Sequence, residues 1–513
     1  MANGPAHKGE RADTTNLHDN EAEIDLEIGS TDIKENRQAE PAQKEEKDPN
    51  LIDWNGPSDP ENPQNWTASK KWIVVTALSL MTICVTFASS VFSTAAVQVA
   101  QLYDVSTEVT TLGLSLFVAG FAFGPLVFGP TSEVFGRKSP LFIGYFCFAI
   151  FQIPVAVSQN LYTILITRFI GGCFACAPLA IGGGLIADMF GPVDRGVGIC
   201  VFCSATFIGP MIGPILGGFI TQSYLGWRWT AWFTLIMATI FGTLGYFTIP
   251  ETSHSRILQK RAKKLRFETK NWGIYSQADT VKIDLKTILK IYVTRPLQML
   301  ILEPILLLIT IYMSLVYGIL YLFFLAYPIS FQRERGWNQG VGALPFLGIM
   351  IGISLGAFTI AYLTKTRYAR IIEKKGRAAP EERLPPMILG SLFLPIGLFW
   401  FAWTSDPDVS WVPQVIAGIP IGWGFLMIFL QGLNYIIDVY LWLANSAISA
   451  NTFLRSLAAA GFPMFATAMY NRLGVDWATS LLAFLCVAMI PAPILFYIYG
   501  EKIRGMSKFS PKI

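Results

Sequence analysis

Charge is scarce in this chain. Only 14% of its 513 residues are Asp, Glu, Lys or Arg, against 52% hydrophobic, where a soluble domain carries roughly 25% charge. That shortage excludes a disordered protein, a collagen-like fibre and an ordinary cytosolic enzyme. Histidine is scarcer still: His7, His18 and His254, none of them near a cysteine. Cys173-x-x-Cys176 and Cys200-x-x-Cys203 have the spacing of paired metal ligands. All seven cysteines fall in apolar segments, however, and a thiol packs well as a small hydrophobe, so no metal centre and no cofactor is expected. The chain also lacks a Gly-x4-Gly-Lys-Ser/Thr loop, which disfavours an ATP-driven pump unless a separate subunit supplies the ATPase. It lacks an arginine row of the voltage-sensor kind. No His cluster or nucleophile–base constellation points to a membrane enzyme, and no nucleic-acid partner is expected.

What the chain has is apolar length. Mean hydropathy is +0.46, and the natural solvent for such a chain is the lipid bilayer. A spanning helix takes about 20 predominantly apolar residues, and twelve such segments are expected. The first six are 72–92, 109–129, 140–157, 161–186, 197–221 and 229–249. The second six are 303–326, 341–363, 386–404, 412–433, 444–470 and 478–499. The expected organisation is an acidic tail at 1–71, a six-helix half at 72–250, a basic loop at 251–300, a second half at 301–500 and a short tail at 501–513.

The net charge of +4 hides this map. Residues 1–71 carry 16 acids against 8 bases, and residues 72–513 carry 19 against 31. The acidic tail is too polar to offset its ordering entropy and is expected to be disordered. No apolar core follows a basic start there, so no cleaved signal peptide is expected. With the N-terminus in the cytosol, the inner loops and C-terminal tail hold 25 Lys/Arg. The outer loops hold four: Arg228, Arg333, Arg335 and Arg472. The positive-inside rule therefore puts both termini in the cytosol. Six plus six spans about a basic loop is the layout of a secondary transporter built from two halves.

Three patterns stand out within the spans. The first is Gly129-Pro-Thr-Ser-Glu133-Val-Phe-Gly136-Arg137-Lys138, in a short inner loop. Its glycines permit a tight turn, and Glu133 has Arg137 or a cation on a neighbouring helix within reach. Such a pair makes a gate between states of similar stability; a basic loop that only sets topology is the plainer reading. The second is Arg168, a cation about 10 Å inside span 4. A charge at that depth needs a cavity or a partner, so Arg168 either faces a central cavity or bonds backbone carbonyls. The third is Gly209-Pro210-x-x-Gly213-Pro214-x-x-Gly217-Gly218, whose small face lets helices approach closely and whose prolines favour a bend.

Gly-x3-Glu-x2-Gly-Arg-Lys after the second span of twelve resembles the signature loop of the major facilitator superfamily, with Glu where Asp is common. The equivalent loop after span 8, Gly356 to Arg370, has bases but no acid at the matching place, so a second latch there is expected to be degenerate. Further strings resemble the fungal twelve-helix drug:proton antiporters of that superfamily. They are Asp59-Pro-Glu-Asn-Pro-Gln-Asn-Trp66, Trp227-Arg228-Trp229, Pro250-Glu251-Thr252, Glu303-Pro304, Tyr317-Gly-Ile-Leu-Tyr321, Asn451-x3-Arg455-Ser456 and Phe462-Pro463. The resemblance spans about residues 55–500. It implies an all-α membrane protein with the major facilitator fold, a monomer in the plasma membrane, exporting a small molecule in exchange for protons. It links Arg168 to proton coupling and the glycine-proline helix to the exporting branch.

Ionisable residues at membrane depth are the candidates for coupling: Arg168, Glu303 and Arg455, with Asp188 and Asp438 nearer the inner ends. Span 1 carries no acid, although some relatives in the superfamily place a proton carrier there. Glu303 is the first choice for the proton, with Arg455 as its partner across the cavity; a structural Glu303 weighs equally. Tyr317, Tyr321, Gln431, Asn434, Tyr435 and Asn451 are the candidate substrate contacts, suited to flat amphipathic ligands. One carboxylate against two arginines favours neutral or weakly anionic aromatic cargo, such as a fungal toxin, another secondary metabolite or a fungicide. A polyamine exporter and a non-transporting sensor of the same fold are the alternatives.

Overall fold

The computed structural model describes residues 48, 50–280, 293–375 and 378–509. The expected disorder of the first 50 residues lies almost wholly outside that range.

Helix dominates, as it must in lipid, where every backbone polar group has to be satisfied within its own segment. Six spanning helices form the first half: α1 (Ala68–Tyr103), α2 (Thr107–Val134), α3 (Lys138–Ala156), α4 (Leu161–Met189), α5 (Pro192–Gln222) and α6 (Arg228–Thr248). The second half has α7 (Pro304–Tyr327), α8 (Phe346–Leu363), α9 (Leu384–Trp403) and α10 (Gly418–Tyr440). One continuous element, Ala444–Gly505, then runs 62 residues. At 1.5 Å per residue that is about 93 Å, three times the hydrocarbon core. It is divided at Gly474, whose φ of 75° and ψ of 171° are not helical. Tyr470 OH and Thr479 Oγ1 meet at 3.2 Å, although nine residues of straight helix would hold them about 13 Å apart. The chain folds back, giving α11 (444–473) and α12 (475–506) and twelve spans in all among the described residues.

The halves repeat one packing scheme. Helix α1 lies on α5 as α7 lies on α11, and α2 lies on α4 as α8 lies on α10. The halves meet where α2 packs on α11 and α5 on α8. The α1–α5 seam explains the glycine-proline pattern. A methyl group added at Gly209, Gly213 or Gly217 would strike Thr86, Ser90 or Thr94 of α1. These hydroxyls bond carbonyls of their own helix, as Thr86 Oγ1 does to Thr82 O (2.8 Å) and Thr94 Oγ1 to Val91 O (2.8 Å). They therefore offer a satisfied, nearly flat surface on which a glycine face can lie.

Order begins well before residue 72, which corrects the expected tail boundary. Leu51–Ile52 (β1) pairs in parallel with Tyr275–Ser276 (β2). Between β1 and α1, Asp59 accepts hydrogen bonds from Asn55 N and Glu61 N (both 2.9 Å). Its Oδ2 also meets Arg261 Nη1 at 2.7 Å. Arg261 belongs to a basic helix, His254–Thr269, so the expected central loop is partly helical. That helix and this strap define what is called below the basic face.

Candidate functional site

A cavity of about 420 Å³ lies between the halves. Its deep end is walled by Phe121 and Cys176 of the first half and by Tyr317, Phe429 and Arg455 of the second. Its mouth lies toward the basic face, among Glu133, Arg137, Arg195, Tyr368, Arg383 and Asp438. The opposite end is sealed. Gln339 Nε2 donates to Thr94 O (2.5 Å), and Gly340 N donates to Gln222 Oε1 (3.2 Å). One level deeper, Ser89 Oγ and Tyr321 OH bond between the halves at 2.9 Å. Among the described residues these contacts close that end of the space.

The two membrane-depth arginines sit in different surroundings. Arg168 is buried, with its Nε donating to Gly113 O (2.5 Å) and its Nη2 to Ala88 O (3.1 Å) and Ser89 O (3.4 Å). The rings of Phe92 and Phe117 lie 4.4 and 4.9 Å from the guanidinium. It ties α4 to α1 and α2 and does not line the cavity, so of the two readings left open by sequence the carbonyl-bonded one describes this state. Arg455 lines the cavity. Its guanidinium lies 4.7 Å from the Tyr317 ring and 4.5 Å from the Phe429 ring, and its buried Nε has no protein acceptor among the described residues.

The loop between α2 and α3 is held by three partners. Gly136 takes a φ of +88°, which glycine adopts freely, and a side chain there would strike Glu251. Glu251, just past α6, accepts from Arg137 N (2.8 Å) and Lys138 N (3.2 Å). Lys138 Nζ donates to Tyr246 O (3.0 Å). The Arg137 guanidinium reaches Asp188 at the end of α4 (3.2 Å) and Ser132 Oγ (2.9 Å). Glu133 faces the other half, where it accepts from Asn445 Nδ2 of α11 at 2.6 Å. The loop thus clasps α2, α4 and α6 together, and Glu133 bridges the halves near the cavity mouth, next to Gly129.

The second half carries ion pairs in the corresponding region, contrary to the expected degeneracy. Arg383 meets Asp438 at 2.9 Å, Arg367 meets Glu382 at 2.9 Å, and Arg504 meets Glu381 at 2.9 Å. The acids come from the loop before α9 and the end of α10, outside the stretch from Gly356 to Arg370.

Glu303 is fully buried at the start of α7. Its Oε2 accepts from Tyr440 OH (3.1 Å) and Ser507 Oγ (2.5 Å), and its Oε1 from Lys508 N (2.9 Å) and Phe509 N (3.2 Å). Tyr317, beneath Arg455, lies fourteen residues further along α7, about 21 Å away. The expected Glu303–Arg455 pair is therefore not formed; Glu303 anchors the C-terminal segment instead.

A model of the Major Facilitator Superfamily matches residues 78–463. The chain belongs to the major facilitator superfamily. It is 54% identical over 494 residues to a citrinin biosynthesis cluster MFS transporter of Monascus ruber, covering 96% of this chain and 99% of that one. It is 54% identical over 467 residues to an ascochitine biosynthesis cluster MFS transporter of Didymella fabae (91% and 90%). A cercosporin MFS transporter of Cercospora nicotianae is 45% identical over 464 residues (90% of each chain). Among solved structures, the proton:xylose symporter XylE superposes with a TM-score of 0.60 at 15% identity, over 85% of this chain and 96% of that one. The human organic anion transporter MFSD10 gives 0.57 at 16%, over 85% and 99%. These two carry the fold alone. The protein is thus a multi-pass membrane transporter and not an enzyme.

This facilitator brings together only part of the set expected from sequence. Tyr317 and Asn434 line the cavity, and Tyr321 lies one turn beyond, in the bond to Ser89. Gln431 borders a separate small hollow beside Tyr368 and Arg383. Tyr435 stacks on Phe496 of α12 at 6.2 Å. Asn451 is buried, with its amide donating to Thr310 Oγ1 (3.2 Å) and Met313 Sδ (3.4 Å). Helical phase explains the split: on α10, Phe429, Leu433, Asn434, Ile437 and Asp438 follow the cavity at steps of one to four residues, and positions 431 and 435 fall on another face. Sequence reading also missed Asn445, Glu251 and Arg195. Glu251 had a signal, since Pro250-Glu251-Thr252 was one of the resembling strings.

Proposed function

We propose that this facilitator is a proton-driven exporter in the plasma membrane, with both termini cytosolic, that expels small amphipathic aromatic compounds made by or threatening a fungal cell. The observation that carries this reading is the cavity. It opens toward the basic face, which the positive-inside rule makes cytosolic, and it is closed at the opposite end by Gln339, Gly340 and Gln222. A site loaded from the cytosol suits export. Its volume lies in the range of small-molecule sites, and Phe121, Tyr317 and Phe429 give flat ligands ring faces on which to stack. Three relatives named for the citrinin, ascochitine and cercosporin systems support a secondary metabolite as cargo.

Alternating access requires the mouth to close as the sealed end opens. Glu133, Gly136, Arg137 and Lys138 are the gate on the cytosolic side, and the Glu133–Asn445 bond is the contact that must change as the halves rock. The Gly209–Gly218 face on α1 keeps the first half rigid through that motion. Polyamine export, the alternative, finds less support: at the depth of Arg455 the cavity offers rings, thiols and hydroxyls, and its acids, Glu133 and Asp438, sit at the mouth.

Expression in a pump-deficient yeast, with a panel of aromatic metabolites, fungicides and spermine, tests the reading. Resistance to aromatic compounds with efflux abolished by a protonophore is expected. Efflux that ignores the protonophore would remove proton coupling, and protection against spermine alone would replace the cargo class.

A further inference from the structure

We infer that Arg455 is an anion anchor, and that the aromatic cargo carries a single negative group, a carboxylate above all, when it binds. This rests on the efflux reading and narrows its substrate class.

A guanidinium has five N–H donors in one plane and no acceptor. At membrane depth each donor left without an acceptor is costly. Arg168 shows how the fold settles such a cost when the cation is structural: Gly113, Ala88 and Ser89 carbonyls take its donors. Arg455 also lies within a span, yet its Nε meets no acceptor among the described residues. The Tyr317 and Phe429 rings ease its charge through their faces, but a ring face supplies no lone pair to an N–H lying in the guanidinium plane. Arg455 lines a cavity that small molecules can enter, and its guanidinium is held there by two ring faces and by no hydrogen bond among the described residues.

The rest of the lining tells which charge belongs there. Among the described residues the cavity wall holds Arg137, Arg195, Arg383 and Arg455 against Glu133 and Asp438. Asp438 is engaged with Arg383 and Arg137 with Asp188. Arg195, on the path in from the mouth, has a buried Nε that also lacks an acceptor among the described residues. At the entrance Glu133 offsets Arg195, whereas the deep end holds Arg455 with no acid among the described lining residues. A carboxylate suits Arg455 best, because the planar fork of the guanidinium matches its two oxygens in a paired, charge-assisted hydrogen bond. The cargo's aromatic frame then lies against Phe429 and Tyr317, and Thr206, Thr452 and Asn434 flank it with further polar groups.

The test uses the purified full-length protein and a matched pair of probes, 2-naphthoate and its neutral isostere 2-naphthamide. Affinities are read by ligand-induced thermal stabilisation at pH 7. Wild type is expected to prefer the naphthoate by about tenfold or more, the effect of one charge-assisted hydrogen bond in a dry site. Arg455→Gln should erase that preference while keeping the amide affinity, and Arg455→Lys should keep the preference for charge but weaken it. Equal binding of the two probes to wild type, or an unchanged naphthoate preference in Arg455→Gln, overturns the anchor. If Arg455→Gln does not fold, the wild-type pair and the lysine variant still decide. Failure of the efflux reading would look different: wild-type yeast vesicles would select the naphthoate in binding yet never move it against a gradient.

Discussion

Arg168 and Arg455 are the same residue type within the spans of the two halves, and the fold treats them in opposite ways. Arg168 has its donors taken by three carbonyls from two neighbouring helices, so its charge has become part of the framework. Arg455 lines the cavity, rests on two rings and makes no hydrogen bond among the described residues. The difference shows that membrane depth alone does not mark a functional charge. What marks it is whether the surrounding backbone has already used the group. Glu303 repeats the lesson for an acid: four donors, three of them from the C-terminal segment, leave its carboxylate committed.

The sharpest way to break this comparison is to remove each arginine in turn and read stability. Arg168→Ala leaves a cavity between Phe92 and Phe117 and removes the three hydrogen bonds that tie α4 to α1 and α2. A loss of about 3–5 kcal/mol is expected from the cavity and the lost bonds together, seen as a collapse of the monodisperse detergent-purified peak. Arg455→Ala should cost less than about 1 kcal/mol, because it removes an unsatisfied donor along with the ring contacts. If Arg455→Ala proves the more damaging of the two, the division into framework charge and working charge is wrong.

The second test concerns Glu303. Glutamine can keep one oxygen for Lys508 N and Phe509 N while its amide donates to Ser507 Oγ and Tyr440 OH, both of which can turn to accept. Glu303→Gln is therefore expected to stay within about 1 kcal/mol of wild type and to keep protonophore-sensitive efflux. Glu303→Ala removes the acceptor used by Tyr440 OH, Ser507 Oγ and Lys508 N and one of the two used by Phe509 N, and should cost about 1–3 kcal/mol. Hydrogen exchange at Lys508 and Phe509 would speed up accordingly. Loss of proton-driven efflux in the glutamine variant, with the C-terminal segment still protected, would return Glu303 to the coupling path.

How much of this was legible before any coordinates follows from the range over which each signal acts. Span count comes from hydropathy, which is summed over many residues, and even the turn at Gly474 falls in the gap expected between 470 and 478. The glycine-proline face was legible because its four-residue spacing is written in one helix. The partners of Arg168 were not, because the acceptors are backbone carbonyls, which every residue owns. Asn445 and Asp438 were likewise set in place by helices far away in sequence. Gln431 and Tyr435 were misplaced for a different reason: polar character was followed without the helical phase, and Phe429, Asn434 and Asp438 show the phase once it is drawn.

A smaller effect is expected at the gate. Asn445→Ala deletes one exposed cross-half hydrogen bond to Glu133, worth about 1 kcal/mol or less, so it should shift the balance between the mouth-open and mouth-closed states by no more than about fivefold. Double electron–electron distances between labels on α2 and α11 would record it as a change in populations with unchanged distances. New distances would mean that Glu133 is part of the framework and not of the gate.

The smallest effect at neutral pH lies farthest from the cavity, where the strap before α1 meets the basic helix. Arg261 beside Asp59, with the amides of Asn55 and Glu61, holds that carboxyl down at about 2, below its ordinary value of 3.8. A lowered pKa stabilises the docked strap fully above pH 3.8, and the contribution is lost as pH falls through about 2. From pH 8 to pH 5 the Asp59–Arg261 contact should therefore not titrate, unlike transport, which a proton gradient must move. Asp59→Asn should loosen it at every pH, read as faster protease cutting of the Leu51–Ile52 and Tyr275–Ser276 pair with cavity affinity for 2-naphthoate untouched. Strap release between pH 5 and 7 in wild type would show that the basic face senses protons, and would extend the working charges of this facilitator beyond its membrane-spanning core.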